Sequence, residues 1–252
     1  MRILTRMSAS FPQMTTRQRI APRPHVSLRP PQPPTPTTFA VSAAVSRGAA
    51  IKNLAEYPIA LAMFVVAVPF ILLAMLATKI VSSGPTIYRQ QRVGRAGRVF
   101  TIYKIRTMYL DCESLTGPRW SIPGDPRITP LGKIFRKLHV DELPQLWNVL
   151  KGDMALIGPR PERPEIVTQL RRSIPSYDYR HVIKPGITGF AQIHLPADTN
   201  LRSVRNKVAY DRFYIARMSL WMDVSIYFCT ALKILHLKSL YCRPPCKPTD
   251  DE

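Results

Sequence analysis

The chain has 252 residues, 46% of them hydrophobic, with 36 Lys and Arg against 16 Asp and Glu, a formal net charge of +20. That length holds one modest domain with extensions. The charge calls for an anionic partner, whether nucleic acid, anionic lipid or a phosphorylated substrate. Of the four cysteines only Cys242 and Cys246 are close, so no paired metal-ligand spacing exists and a zinc site is disfavoured. The plain reading is reduced cytosolic thiols.

Residues 1–54 read as a disordered Pro/Arg-rich tail. Eight of the basic residues precede Glu56, the first acid, and the first fifty residues hold eight prolines, five of them from Pro30 to Pro36. Such a stretch favours extended conformers and cannot bury a core. Its Arg-rich, acid-poor composition also suits an organellar transit peptide. A plain tail is the simpler reading, since Met7 and Met14 offer alternative starts.

Residues 55–82 form the membrane element. Tyr57 to Ala77 carries no charge and is closed by Lys79. As a helix it would rise about 30 Å, one hydrocarbon core. Pro69 lies near its middle and removes a helix hydrogen bond. Both flanks are basic, with Arg47 and Lys52 before and Lys79, Arg89, Arg92 and Arg95 after. The positive-inside rule keeps both flanks in the cytoplasm. A re-entrant helix bent at Pro69 satisfies both observations. An ordinary kinked span is the alternative.

Residues 83–238 read as an α/β domain. Gly84-Pro85 ends the apolar helix, and Ile87 to Tyr103 reads as a β-hairpin whose turn carries Gly94 and Gly97. Residues 111–130 are loop-like. Leu131 to Leu150 is helical with a break near Pro144, after which Leu143, Leu146, Trp147 and Leu150 fall on one face. Glu165 to Ser173 is a further helix, and Val182 to Gln192 is turn-rich and extended. Asn200 to Met218 and Leu220 to Leu235 suit interfacial amphipathic helices or packing on the core. Residues 239–252 form a polar tail.

The densest chemistry lies in Arg136 to Pro161, RKLHVDELPQLWNVLKGDMALIGPRP. Asp141 and Glu142 are adjacent carboxylates just before Pro144. Proline favours the first turn of a helix, so the pair is expected at a helix N-terminus, where anions are favoured. Adjacent side chains point apart and can divide labour as nucleophile and metal ligand. Arg136 precedes them and, with the helix start, is expected to keep Asp141 ionised at neutral pH, and Arg160 sits in a stiff Pro-Arg-Pro. Guanidinium grips phosphate bidentately. Together these suggest phosphoryl chemistry with a divalent ion. The bland alternative is that both carboxylates merely cap a helix.

VDELPQLWNVLKGDMALIGPRP is similar to the signature of the bacterial sugar transferases, the monotopic phosphoglycosyl transferases. The likeness extends to GPTIYRQQRVGRAGRVFTIYKIRTM, DPRITPLGKIFR and KPGITGFAQI, covering roughly residues 55 to 238. It implies a compact α/β domain half sunk in one leaflet, on the cytoplasmic face of a bacterial inner membrane. It implies transfer of a sugar 1-phosphate from a UDP-sugar to polyprenyl (undecaprenyl) phosphate, with release of UMP. That step would begin exopolysaccharide, capsule, O-antigen or glycoprotein glycan assembly, feeding downstream glycosyltransferases. By resemblance Asp141 is the nucleophile and Glu142 its partner at Mg²⁺, the two carboxylates being the candidate metal ligands. Lys104, Arg106, Arg136 and Arg160 are substrate-phosphate contacts, and Pro69 is the membrane kink. Where short members continue with Asn-Gly-Arg, this chain reads IHLPADTN. Arg202 or Arg205 would have to substitute, or the donor is held differently. The other readings are a non-catalytic membrane scaffold, which the intact Asp141-Glu142 pair disfavours, and a nucleic-acid binder. The second lacks any recognisable signature and leaves the apolar run unexplained.

Overall fold

The computed structural model describes residues 43–110, 112, 124–198 and 200–235, with side chains described from Gly48 onward. The 1–42 part of the tail and the 239–252 tail lie outside the described residues. The first element, α1, runs from Ala43 to Val81, 39 residues. It starts within the stretch that the sequence assigns to the tail. The reason is local: AAVSRGAAIKNLAE is rich in good helix formers. The helix continues through both Pro58 and Pro69.

Helix α1 buries a single stripe. Ala49, Lys52, Glu56, Ala60, Ala67, Ala74 and Thr78 are buried, at steps of three, four and seven residues. Such spacing keeps to one face of a helix, and the alanines let the backbone approach closely. The opposite face exposes Leu61, Val65, Val66, Phe70, Leu72, Leu73 and Leu76. Among the described residues α1 is the one helix long and apolar enough to cross a membrane.

Gly84, with φ of +98°, turns the chain out of α1, a left-handed conformation that favours glycine. The expected hairpin follows. Strand β1 (Ile87–Val93) pairs antiparallel with β2 (Val99–Ile105), from Ile87 opposite Ile105 to Val93 opposite Val99. The expected 131–150 helix is two helices, α2 (Pro130–Leu138) and α3 (Gln145–Leu150), separated by a 3-10 turn over Val140–Glu142. Strand β3 (Ala155–Ile157) leads to α4 (Pro164–Ser173). The stretch expected to be extended holds only a three-residue strand, β4 (Gly186–Thr188), parallel to β3. It then closes into a short helix, α5 (Phe190–His194). Gly158 and Gly186 sit where the two strands meet; a Cβ on Gly186 would lie 2.0 Å from Gly158 N.

Two longer helices complete the domain, α6 (Leu201–Arg217) and α7 (Leu220–Ile234). Asn200 and Ser203 form a reciprocal capping box at the start of α6. Both helices pack on the core through Tyr210, Tyr214, Ile215, Ile226 and Cys229. Helix α7 nevertheless leaves Leu220, Trp221, Val224 and Phe228 exposed, so core packing accounts for one face and an apolar face is left outward.

Candidate active site

The site begins at a sharp reversal. Helix α2 is capped by Thr129, whose Oγ1 accepts from Gly132 N at 2.9 Å. It ends at His139, a non-glycine residue with φ of +56°. Such residues are uncommon, and they cluster at functional sites. The reversal throws Asp141 and Glu142 into the 3-10 turn between α2 and α3. Both helices are anchored on α1. Phe135 and Leu131 of α2 pack with Ala74, and Leu146 and Val149 of α3 with Ala60 and Ala67. The carboxylates therefore hang between two elements fixed to the apolar helix. This is not the helix N-terminus expected from Pro144. Helix α3 has only six residues, and Pro144 precedes rather than opens it. No hydrogen bond or ion pair engages the Asp141 carboxylate among the described residues.

The two carboxylates differ in their partners. Glu142 Oε1 accepts from Lys104 Nζ at 2.6 Å and from Arg160 Nη2 at 2.7 Å. Burial by itself would raise the Glu142 carboxyl, but the Arg160 and Lys104 charges outweigh it and hold the group well below the ordinary carboxylate range. Arg160 is pushed up in turn, first by Glu142 and against its own burial. Burial dominates at Lys104 and lowers its ammonium despite Glu142. Asp141 is buried, with 7% of its surface exposed. Burial first, and then the Glu142 charge, raise its carboxyl, against Lys104, Arg136 and His139. The expectation that Arg136 and a helix terminus would ease its ionisation is thus outweighed by desolvation.

Two of the predicted arginines bond to groups other than the carboxylates. Arg136 acts on Asp141 through its charge, while its Nε donates to Thr107 Oγ1 at 2.9 Å. Arg106 Nη2 donates to Ser82 O at 2.9 Å, just beyond α1. It reaches neither carboxylate. Arg205 donates to Ser173 O at 3.5 Å and lies exposed on α6, as does Arg202. The buried cation of that helix is Lys207, which pairs with Asp198 and sits 3.5 Å from Glu162.

The loop that carries Arg160 is gripped at four consecutive carbonyls. Pro159 O accepts from Gly186 N at 3.0 Å, and Arg160 O from Arg180 Nη2 at 3.0 Å. Pro161 O accepts from Arg92 Nη1 at 3.0 Å, and Glu162 O from Val93 N at 2.9 Å. Opposite, the fully buried Asn148 donates to Thr101 O at 2.7 Å and accepts from Tyr103 N at 3.2 Å. This ties α3 to β2 in the register that brings Lys104 to Glu142. Sequence reasoning missed Asn148 and Arg180. Asn148 is a polar residue among the apolar positions of α3. Arg180 has one local partner, Tyr177, whose Oη accepts from its Nη1 at 2.9 Å, but the partners that tie it to the site, Asp211 and Arg160 O, are remote in sequence.

Two carboxylates can contribute to a metal site here. Both ion pairs of Glu142 land on Oε1, leaving Oε2 outside them. No group of three or more His, Cys, Asp or Glu side chains that could hold a metal occurs among the described residues. That donor set fits Mg²⁺, which takes one or two carboxylates and fills its shell with water and substrate phosphate oxygens. It does not fit an ion needing an all-protein cage.

A hairpin and a clamped Pro-Arg-Pro loop thus converge on the Asp141–Glu142 pair beside an apolar helix. The sequence profile of the family described as Bacterial sugar transferase matches residues 47–237, and the chain belongs to that family. Over 175 residues it is 47% identical to a UDP-N-acetylgalactosamine-undecaprenyl-phosphate N-acetylgalactosaminephosphotransferase of Aeromonas hydrophila, covering 68% of this chain and 41% of that protein. It is 39% identical to a UDP-glucose:undecaprenyl-phosphate glucose-1-phosphate transferase of Xanthomonas campestris pv. campestris, covering 69% of this chain and 36% of that protein. A protein of the same description from Caulobacter vibrioides is 41% identical, covering 69% of this chain and 65% of that protein. The matched region thus spans only about two fifths of the first two relatives.

Proposed function

We propose that this protein transfers a sugar 1-phosphate from a UDP-sugar to polyprenyl phosphate, releasing UMP, through a covalent phosphosugar on Asp141. The observation that carries this reading is the contrast between the two carboxylates. Glu142 is locked by Lys104 and Arg160, whereas Asp141 is buried, without a partner among the described residues, and beside those same cations. In the first step an Asp141 oxygen attacks the β-phosphorus and the bond to the bridging oxygen breaks. UMP leaves with that oxygen. In the second step an oxygen of the lipid phosphate attacks the same phosphorus, and the acyl-phosphate bond breaks to regenerate the carboxylate. Two displacements spare two anionic substrates a direct encounter. Arg160 stabilises charge on the transferring phosphoryl group. Lys104, whose ammonium burial already lowers, orients Glu142 and adds a second cation. Asp141 and Glu142 would hold Mg²⁺, which would supply charge to neutralise the diphosphate. The lipid product would pass to glycosyltransferases that extend the glycan.

The test is incubation of detergent-solubilised protein with polyprenyl phosphate and a panel of UDP-sugars. UMP release with at least one donor is expected, and none with any donor would overturn the reading. The relatives differ in sugar, N-acetylgalactosamine in one and glucose in two others, so the panel must hold both classes.

The catalytic domain is further proposed to sit on the cytoplasmic face, with α1 re-entrant rather than spanning. The helix would be about 58 Å long, nearly twice a hydrocarbon core. One and the same domain touches it near both ends: Lys52 and Glu56 meet β3, while Arg106 grips Ser82. A perpendicular span would drag that domain through the bilayer. Lys52 is buried and a poor labelling site, so cysteines belong at Leu54 and Ile80, which are 78% and 77% exposed. Both should resist a membrane-impermeant thiol reagent in intact cells. Reaction at one and not the other would establish a span.

Removal of residues 1–42 should leave membrane insertion and turnover within about twofold of the full chain, since their composition offers almost no core. Cutting further, through Glu56, should abolish both, because Lys52 and Glu56 are buried against β3. An inactive but inserted 43–252 protein would assign the tail a role.

A further inference from the structure

The apolar helix carries a buried ion pair that the mechanism above does not use. Lys52 and Glu56, one turn apart on α1, are 6% and 4% exposed and lie 2.7 Å from each other. Both turn onto β3 instead of toward the membrane. Glu56 Oε2 accepts from Leu156 N at 3.0 Å and Oε1 from Ile157 N at 3.2 Å. Lys52 Nζ donates to Ile157 O at 2.7 Å. Tyr227 Oη donates to Glu56 Oε1 at 3.3 Å, and Asp223 lies 4.0 Å from Lys52.

Among the described residues strand β3 has only one strand neighbour, β4. Its other side would otherwise leave backbone donors and an acceptor unpaired inside the protein, which is costly for buried groups. The carboxylate and the ammonium of α1 fill those places as a missing strand would. Ile157 is three residues from Arg160, and Gly158 and Pro159 between them are held by Thr188 O and Gly186 N. With a proline on either side of Arg160 there is little slack, so a shift of β3 is passed on to the guanidinium.

We propose that Lys52 and Glu56 are positioning residues that couple the seating of the membrane helix to the placement of Arg160. This inference rests on the proposed role of Arg160 in phosphoryl transfer. In a helix displaced from the domain, β3 loses its second set of backbone partners and Arg160 loses its register against Glu142. Turnover is thereby tied to correct docking of α1.

The test uses the full chain in lipid nanodiscs and compares Glu56→Gln, the paired exchange Lys52→Met with Glu56→Gln, and Arg160→Ala. The paired exchange removes both charges together and avoids a lone buried ammonium. Each is measured alone and the first two also in the Arg160→Ala background. We expect kcat for UMP release to fall about 10–100-fold while the donor KM stays within about threefold, the scale of a misplaced but present group. Amide exchange at Leu156 and Ile157 should quicken. In the Arg160→Ala background the same exchanges should cost nothing further. Loss of rate in Arg160→Ala with wild-type kcat in both α1 variants would overturn the coupling alone. An equal fold loss in both backgrounds would also overturn it, leaving a merely structural pair. A wild-type rate in Arg160→Ala would overturn the role of Arg160 itself, and the coupling with it.

Discussion

Asp141→Asn is expected to abolish UMP release while leaving the protein folded, membrane-bound and more heat-stable than wild type. Loss of the nucleophile removes the first displacement, so neither the UMP burst nor the mass gain of a phosphosugar should appear when donor is supplied alone. The wild type should give about one UMP per active site under the same conditions. The stability gain follows from the raised native carboxyl. A raised acid favours folding only while protonated. Its contribution is present below the unfolded carboxylate value and is lost as pH rises through the higher native one. At neutral pH the wild type therefore bears the cost of an ionised, desolvated Asp141, and the neutral asparagine does not. The same shift predicts that the donor half-reaction fails, as pH falls, at a higher pH than an ordinary aspartate would give. A UMP burst retained by Asp141→Asn, or intersecting steady-state lines with no adduct under rapid quench, would overturn the covalent relay.

Glu142→Gln should behave in the opposite way, losing stability as well as activity. Its carboxylate is the shared counter-ion of Lys104 and Arg160, and a neutral amide leaves both cations uncompensated. Breaking a fully buried pair costs about 3–5 kcal/mol. The cost here should be smaller, because the Arg160 side chain keeps 36% of its exposure. The sign of the pH dependence is reversed too. Glu142 is held well below the ordinary range, so its contribution is complete above the unfolded carboxylate value and is lost as pH falls through the native one. Wild type should therefore melt progressively lower in acid, and Glu142→Gln should flatten that limb of the curve. Response to Mg²⁺ should weaken in the variant, since one of two candidate ligands is gone. A variant as stable as wild type, with an unchanged acid limb, would show that the Lys104–Glu142–Arg160 cluster does not support the fold.

The elements whose cause is local were legible in the chain. The uncharged run before Lys79, the glycine-marked hairpin, the break at Pro144 and the last two amphipathic helices all lie close to where periodicity and punctuation put them. The long ordered motif around Asp141 and Glu142 identified the family and the carboxylate pair without coordinates. What pairs with what was decided by tertiary structure alone. Lys104 meets Glu142 across 38 residues, and Arg180 holds Arg160 O across 20. Glu56 reaches Ile157 N across 101 residues. No local pattern encodes such contacts. The direction of the Asp141 shift was likewise beyond sequence. A neighbouring arginine and an imagined helix terminus both pointed toward easier ionisation, whereas burial and the adjacent Glu142 prevail. Desolvation depends on how completely α1, α2 and α3 close around the carboxylate, and that is a property of packing. The position of Arg106 makes the same point. The resemblance grouped it with Lys104, and only the fold shows that the strand ends at Ile105 and that the Arg106 side chain turns to Ser82, just beyond the apolar helix.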